Sequence, residues 1–169
     1  MATAIPQDEA SSSKSRCTYQ VFLSFRGEDT RKNFTDHLHT ALVQAGFHTF
    51  RDDDEIQRGE NIEIEIQKAI KESRMSIIVF SKDYASSTWC LDELVMIMEH
   101  KKLGGWHVVL PIFYDLDPSH VSNQTGSFAE AFVRHEERFK KEDRVEGWRM
   151  ALKEVADLGG MVLQDGYVI

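Results

Sequence analysis

A chain of 169 residues, 41% hydrophobic and 28% charged, is long enough to close one sizeable core and falls within the range of a single domain. A formal net charge of −8 with no basic stripe argues against duplex nucleic acid or an anionic membrane as the principal partner. The two cysteines, Cys17 and Cys90, form neither a disulfide framework nor a zinc spacing, no apolar run reaches a membrane span, and no basic region plus apolar stretch opens the chain. A soluble protein of a reducing, intracellular compartment is expected.

Residues 1–16 carry Ser11-Ser12-Ser13 and few apolar side chains, and are expected to be a disordered lead-in to a domain over 17–169. Tyr19-Gln20-Val21-Phe22-Leu23-Ser24-Phe25 reads as the first strand. Arg26-Gly27-Glu28-Asp29-Thr30-Arg31 follows, with a glycine for a tight turn and Asp29 or Thr30 as a helix cap. Phe34, Leu38, Ala41, Leu42 and Ala45 make the next helix amphipathic, and Gly46 ends it. A short strand over 48–50 opens into the acidic stretch 51–60, expected to be a long exposed loop. Ile62, Ile64 and Ile66 alternate as in a strand, but Ile62, Ile66, Ala69 and Ile70 fit a helix, and the good helix formers that follow decide for the helix.

Ile77-Ile78-Val79-Phe80 is a strand buried on both faces, and a helix starts near Trp89 and closes at Gly104-Gly105. Residues 107–114 form the strongest strand in the chain, and 115–125 are expected to be a loop. Phe128, Phe132 and Phe139 fall at near-helical spacing. Trp148, Ala151, Leu152 and Val155 mark one more helix, and a short strand over 161–163 comes last. Five apolar strands alternating with helices require a parallel sheet covered on both faces and joined by right-handed crossovers: an α/β, flavodoxin-like, doubly wound fold. The chain ends soon after the fifth strand, as a domain cut from a longer protein would.

In the helix that starts near Trp89, Leu91, Leu94, Val95 and Met98 fall at i, i+3, i+4 and i+7. Trp89 and Glu93 are one turn apart on the opposite side, so the pair is predicted to face away from the core, toward the crevice outside the strand C-termini. An ordinary surface carboxylate beside a flat-lying indole explains the spacing equally simply. Arg26, Arg31 and a helix N-terminus suit an anion such as a diphosphate, or the two arginines pair with Glu28, Asp29 or the acidic loop. Neither a G-x-G-x-x-G nor a P-loop is present. Asp52 to Glu55 lack the order of a calcium loop and read as solvated, so no metal is expected. A phosphoacceptor receiver is excluded because Ser24-Phe25 and Phe80-Ser81 stand where that chemistry needs acids. A Ser-His-Asp hydrolase lacks its G-x-S-x-G and a histidine in the context of a base. Cys90 is a candidate nucleophile or, more simply, a small core residue.

Taken together, residues 19–31, Phe50-Arg51-Asp52-Asp53, Arg58-Gly59-Glu60, Trp89-Cys90-Leu91-Asp92-Glu93-Leu94 and Pro111-Ile112-Phe113-Tyr114-Asp115-Leu116-Asp117-Pro118-Ser119 resemble a plant Toll/interleukin-1 receptor (TIR) domain. Such a domain usually opens a nucleotide-binding, leucine-rich-repeat immune receptor and has the flavodoxin-like fold expected above. The resemblance implies hydrolysis of the N-glycosidic bond of NAD⁺ or NADP⁺, giving nicotinamide and ADP-ribose-type products, some cyclised. NAD(P)⁺ is then substrate, and no cofactor is implied. It further implies Glu93 as the catalytic carboxylate and Trp89 against nicotinamide or ribose. Ser87 would border the pocket, with Arg26, Gly27, Arg31 and Asn33 near ribose and diphosphate. Homotypic association is implied through the first helix, where many members carry Ser-His and this chain has Asp36-His37, and through the 51–60 loop, which would bridge protomers. Activity would then rise with concentration. A cytoplasmic, membrane-free location follows, with the nucleus as a second compartment. A non-catalytic TIR adaptor acting only by TIR–TIR contact is the alternative.

Overall fold

The computed structural model describes residues 19–30, 34–51, 62–140, 142–164 and 167–168. The lead-in, Arg31, Asn33 and all of the 51–60 loop after Arg51 lie outside the described residues. In chain order the elements are β1 (Tyr19–Phe25), α1 (Gly27–Thr30), α2 (Asp36–Gln44), β2 (Thr49–Arg51), α3 (Ile62–Glu72) and β3 (Ser73–Phe80). A 3₁₀ turn (Tyr84–Ser86), α4 (Thr88–Lys102), β4 (Val108–Tyr114), α5 (Pro118–Asn123), α6 (Ser127–Arg138), α7 (Asp143–Asp157), β5 (Met161–Gln164) and β6 (Tyr167–Val168) follow.

The strands are ordered β2-β1-β3-β4-β5-β6. The first five are mutually parallel, with Phe25 beside Val79 and Phe80 beside Phe113. This is the doubly wound, flavodoxin-like arrangement expected from the alternation of strands and helices. The short β6 pairs antiparallel to β5, Leu163 opposite Val168, and was not anticipated because two residues carry no periodicity. Residues 62–72 are helical, as the helix formers indicated. Residues 115–125, expected to be a loop, contain α5: the Asp117 side chain accepts a hydrogen bond from Ser119 N, and Pro118 occupies the first turn, where its missing N–H costs nothing.

Side chains alternate across the sheet, so parity along β1 and β3 assigns each residue to a face. Phe22, Ile78 and Phe80 enter the larger core with Leu91, Leu94, Ile97, Phe128, Phe132 and Trp148. Val21, Leu23, Phe25, Ile77 and Val79 enter a smaller core, against which Phe34, Leu38 and Leu42 pack. Ser24 has the parity of Phe22. It is a polar side chain on a central strand, fully buried and aimed at the layer that holds α4.

Candidate functional site

Because β1 and β3 are neighbours and parallel, the loops leaving their C-terminal ends meet at one edge of the sheet. Arg26 and α1 come from the first; Ser81, the 3₁₀ turn and the start of α4 come from the second. Ser81 Oγ donates to Asp29 Oδ2 and joins the two loops. Arg26 Nη1 donates to Asp29 Oδ1 at 2.7 Å, and Nη2 to Glu28 Oε2 at 3.0 Å. Of the two roles open for Arg26, this conformation adopts the internal ion pair, and an anion would have to displace those carboxylates. Gly27 is buried at the start of α1.

Ser87 caps α4, its Oγ accepting from Cys90 N at 3.2 Å, which satisfies one orphan amide of the first turn. Cys90 is buried, and its thiol donates to Phe25 O at 3.6 Å, the behaviour of a small core residue.

The placement of Trp89 and Glu93 differs from the sequence expectation. Trp89 is half-buried and packs against the larger core, and Glu93 is only 2% exposed. The carboxyl is turned inward. A single apolar stripe was the wrong description of α4, because this helix packs on β1 and β4 and also against α3 and α7. Cys90, Glu93, Leu94 and Ile97, spaced i, i+3, i+4 and i+7, form a second buried arc beside Leu91 and Met98. A carboxyl is tolerated in that arc because Ser24 Oγ donates to Glu93 Oε1 at 2.9 Å.

Ser24 Oγ also lies 3.0 Å from Tyr84 Oη, and Tyr84 Oη donates to Cys90 O at 3.1 Å. Burial, reinforced by Cys90 and Glu93, pushes the Tyr84 phenol well above its ordinary range, so it remains a neutral hydroxyl. Ser24 and Tyr84 were not singled out from the sequence. The available signal was a lone serine at an inward position of an otherwise apolar strand.

Asp36 and His37 open α2, far along the chain from Glu93. Asp36 Oδ1 accepts from Arg51 Nη1 at 2.8 Å, which ties α2 to β2 and holds the Asp36 carboxyl below the usual carboxylate range. His37 is exposed. A cavity of about 600 Å³ lies further along the same strand-end edge, between the β4–α5 turn and β5, and Asp115, Asp117 and Val162 line it; Glu93 is not part of its wall. Among the described residues no cluster of three or more His, Cys, Asp or Glu is placed to hold a metal ion. No helix among them is long and apolar enough to cross a membrane.

A five-strand parallel flavodoxin-like sheet with a buried glutamate at its strand-end edge defines a doubly wound α/β domain. The chain belongs to the TIR domain family, whose model matches residues 18–167. It is similar to disease resistance protein RUN1 of Vitis rotundifolia, 61% identical over 152 residues, which is 89% of this chain and 11% of that protein. It is likewise similar to TMV resistance protein N of Nicotiana glutinosa, 56% identical over 154 residues, 89% of this chain and 13% of the relative. This chain therefore spans about a tenth of the length of the curated relatives it matches. Among solved structures it is similar to the TIR domains of the activated Roq1 resistosome, described as directly recognising the pathogen effector XopQ. That likeness has a TM-score of 0.80 and 51% identity, and covers 89% of this chain and 90% of that one.

Proposed function

We propose that this chain is the TIR domain of a plant immune receptor and that, once assembled with further copies, it hydrolyses the N-glycosidic bond of NAD⁺ or NADP⁺. The observation that carries the reading is the position of Glu93: a carboxyl at the C-terminal edge of the central strands, oriented by Ser24 and one turn along α4 from Trp89. The chemistry asks little of an acid. The bond between the ribose C1′ and the pyridinium nitrogen breaks with its electron pair going to nitrogen, so nicotinamide leaves neutral and needs no proton. Water then adds to C1′ and loses one proton. A single carboxylate that orients the ribose and stabilises the positive charge developing on the sugar is sufficient, so the two carboxyls usual in glycoside hydrolysis are not required.

In the conformation described here the carboxyl is buried, and the loops that leave β1 and β3 are joined by Ser81 and Asp29. Substrate entry requires those loops to part, and association of protomers is the event proposed to favour the open form. Assembly in the Roq1 resistosome supports homotypic association for this chain, and the face proposed for it, from the resemblance alone, includes Asp36 and His37. NAD(P)⁺ and further TIR domains are the proposed partners, nucleic acid is not, and the proposed setting is the cytosol. The test is nicotinamide release from NAD⁺ as a function of protein concentration, with Glu93→Ala as control. A rate per protomer that climbs with concentration and vanishes in the variant supports the reading; equal rates for both proteins reject it.

One observation favours a second reading, a non-catalytic adaptor: Glu93 is 2% exposed and already hydrogen-bonded. An adaptor keeps cell-death signalling in leaves on Glu93→Ala and loses it on His37→Ala. The enzyme loses it on Glu93→Ala.

A further inference from the structure

We infer that Ser24 is a positioning residue for the Glu93 carboxyl, with Tyr84 acting on it through Ser24. The inference rests on the reading of Glu93 as the reacting carboxylate. Three side chains from β1, the 3₁₀ turn and α4, separated by 60 and 69 positions, converge here, at 2.9 Å from Ser24 to Glu93 and 3.0 Å from Ser24 to Tyr84. All three residues are at most 2% exposed, in a layer otherwise built of Phe22, Phe80, Leu91 and Leu94. Replacing buried ionic groups by apolar side chains of similar volume is often neutral in stability, so packing alone does not account for a polar triplet in this layer.

With Glu93 ionised, Ser24 gives its only hydroxyl proton to Oε1, and Tyr84 gives its own to Ser24 Oγ or to Cys90 O. With Glu93 neutral the chain runs the other way: carboxyl to Ser24, Ser24 to Tyr84, Tyr84 to Cys90 O. Every O–H finds an acceptor in both states, so the carboxyl keeps one orientation whether or not it is ionised. The terminal torsion of a glutamate is soft, and a fixed donor on Oε1 sets the carboxylate plane before a sugar arrives. Among the described residues, Tyr84 itself and Cys90, whose thiol proton is directed to Phe25 O, are titratable neighbours of this network.

The test uses Ser24→Ala, Ser24→Thr and Tyr84→Phe. The readouts are kcat and KM for NAD⁺ at a concentration where wild type is active, and titration of ¹³C-labelled Glu93 by NMR. Ser24→Ala is expected to lower kcat about ten- to a hundredfold with KM within about threefold, the pattern of a lost orienting partner rather than lost binding. Its Glu93 midpoint should rise, because a hydrogen bond to the ionised carboxylate is removed. Ser24→Thr, which keeps the hydroxyl, should recover most of kcat. Tyr84→Phe, which keeps the ring and therefore the packing, should show a smaller loss in the same direction. A Ser24→Ala enzyme with wild-type kcat overturns the inference, whether or not the midpoint moves, as does a Tyr84→Phe enzyme whose loss appears in KM alone. If Glu93→Ala itself proves as active as wild type, the functional reading falls instead, and the NMR midpoint still reports independently whether Ser24 holds the carboxyl.

Discussion

Trp148 donates its indole Nε1–H to Asp92 Oδ1 at 2.9 Å, and Asp92 immediately precedes Glu93. Consecutive helix residues point about 100° apart, so α4 is held by α7 on one side and by Ser24 on another, and its rotation about its own axis is fixed. Arg144 on α7 donates to the same Asp92 carboxylate and lies over the Trp148 ring, 5.0 Å from its centre. That rotational setting is what directs a carboxyl at the end of β1.

Trp148 is 1% exposed, and its two contributions can be separated. Trp148→Phe, which removes the N–H and keeps most of the ring, should lower the free energy of unfolding by about 1–3 kcal/mol; Trp148→Ala, which also opens a cavity, should cost about 3–5 kcal/mol. Arg144→Ala, which removes a partly exposed pair, should cost less than about 1 kcal/mol. Urea unfolding midpoints check this order, and a Trp148→Phe protein as stable as wild type would show that the indole bond does not hold α4.

Gly160 makes a second prediction. A Cβ at this position would lie 2.0 Å from Pro111 O and 2.7 Å from Pro111 Cγ, inside any permissible contact. Pro111 belongs to β4 and cannot retreat without breaking its register with Ile78, so the clash must push β5 away. Gly160→Ala should therefore be among the most damaging small substitutions in the chain, costing more than about 3 kcal/mol or preventing soluble expression. Gly104→Ala is the control: its φ of +77° strains an L residue, but nothing lies within 4 Å, so a cost of about 1 kcal/mol is expected. Comparison of thermal midpoints decides between the two.

How far these features were legible in the sequence depends on how local their causes are. The sheet was readable because Ile77 to Phe80 is a continuous apolar run, and Val21 to Phe25 is one broken only by Ser24, a pattern that a doubly covered strand accommodates. The helix over 62–72 was readable despite its alternating isoleucines because propensity over eleven residues outweighed four β-branched positions. The α5 helix was missed although Asp117-Pro118 is a cap followed by a first-turn proline, a signal hidden by reading all of 115–125 as a loop. The orientation of Glu93 was not readable at all. Periodicity reports one buried stripe, whereas α4 has two, and the partner that lets a carboxyl occupy the second lies 69 positions away on β1.

Acid sensitivity is the third prediction. Burial strips water from the imidazolium forms of His100, His107 and His135, holding each below its ordinary 6.5. His107 and His135 spend a ring nitrogen on the carbonyls of Ser73 and Ala85, at 2.9 and 2.7 Å. The unfolded chain takes up protons near pH 6.5 and the folded chain only at lower pH, so these groups stabilise the fold fully above 6.5, and that stability is lost as pH falls through the lowered values. Urea midpoints should decline between pH 7.5 and 5.5. His135→Gln, which retains a donor for Ala85 O and cannot titrate, should make the decline shallower. A midpoint independent of pH across this range would contradict the burial of these imidazoles.

The central claim is that Glu93 acts on a dinucleotide once protomers assemble, and the most direct measurement is release of nicotinamide from NAD⁺ at rising domain concentration, for wild type and Glu93→Gln side by side. The Gln variant keeps the volume and an oxygen to accept from Ser24, so its fold should survive and only the charge is lost. The account predicts a wild-type rate per protomer that climbs with concentration and a variant rate at least a hundredfold lower throughout. Equal nicotinamide release from the two proteins at every concentration would contradict it.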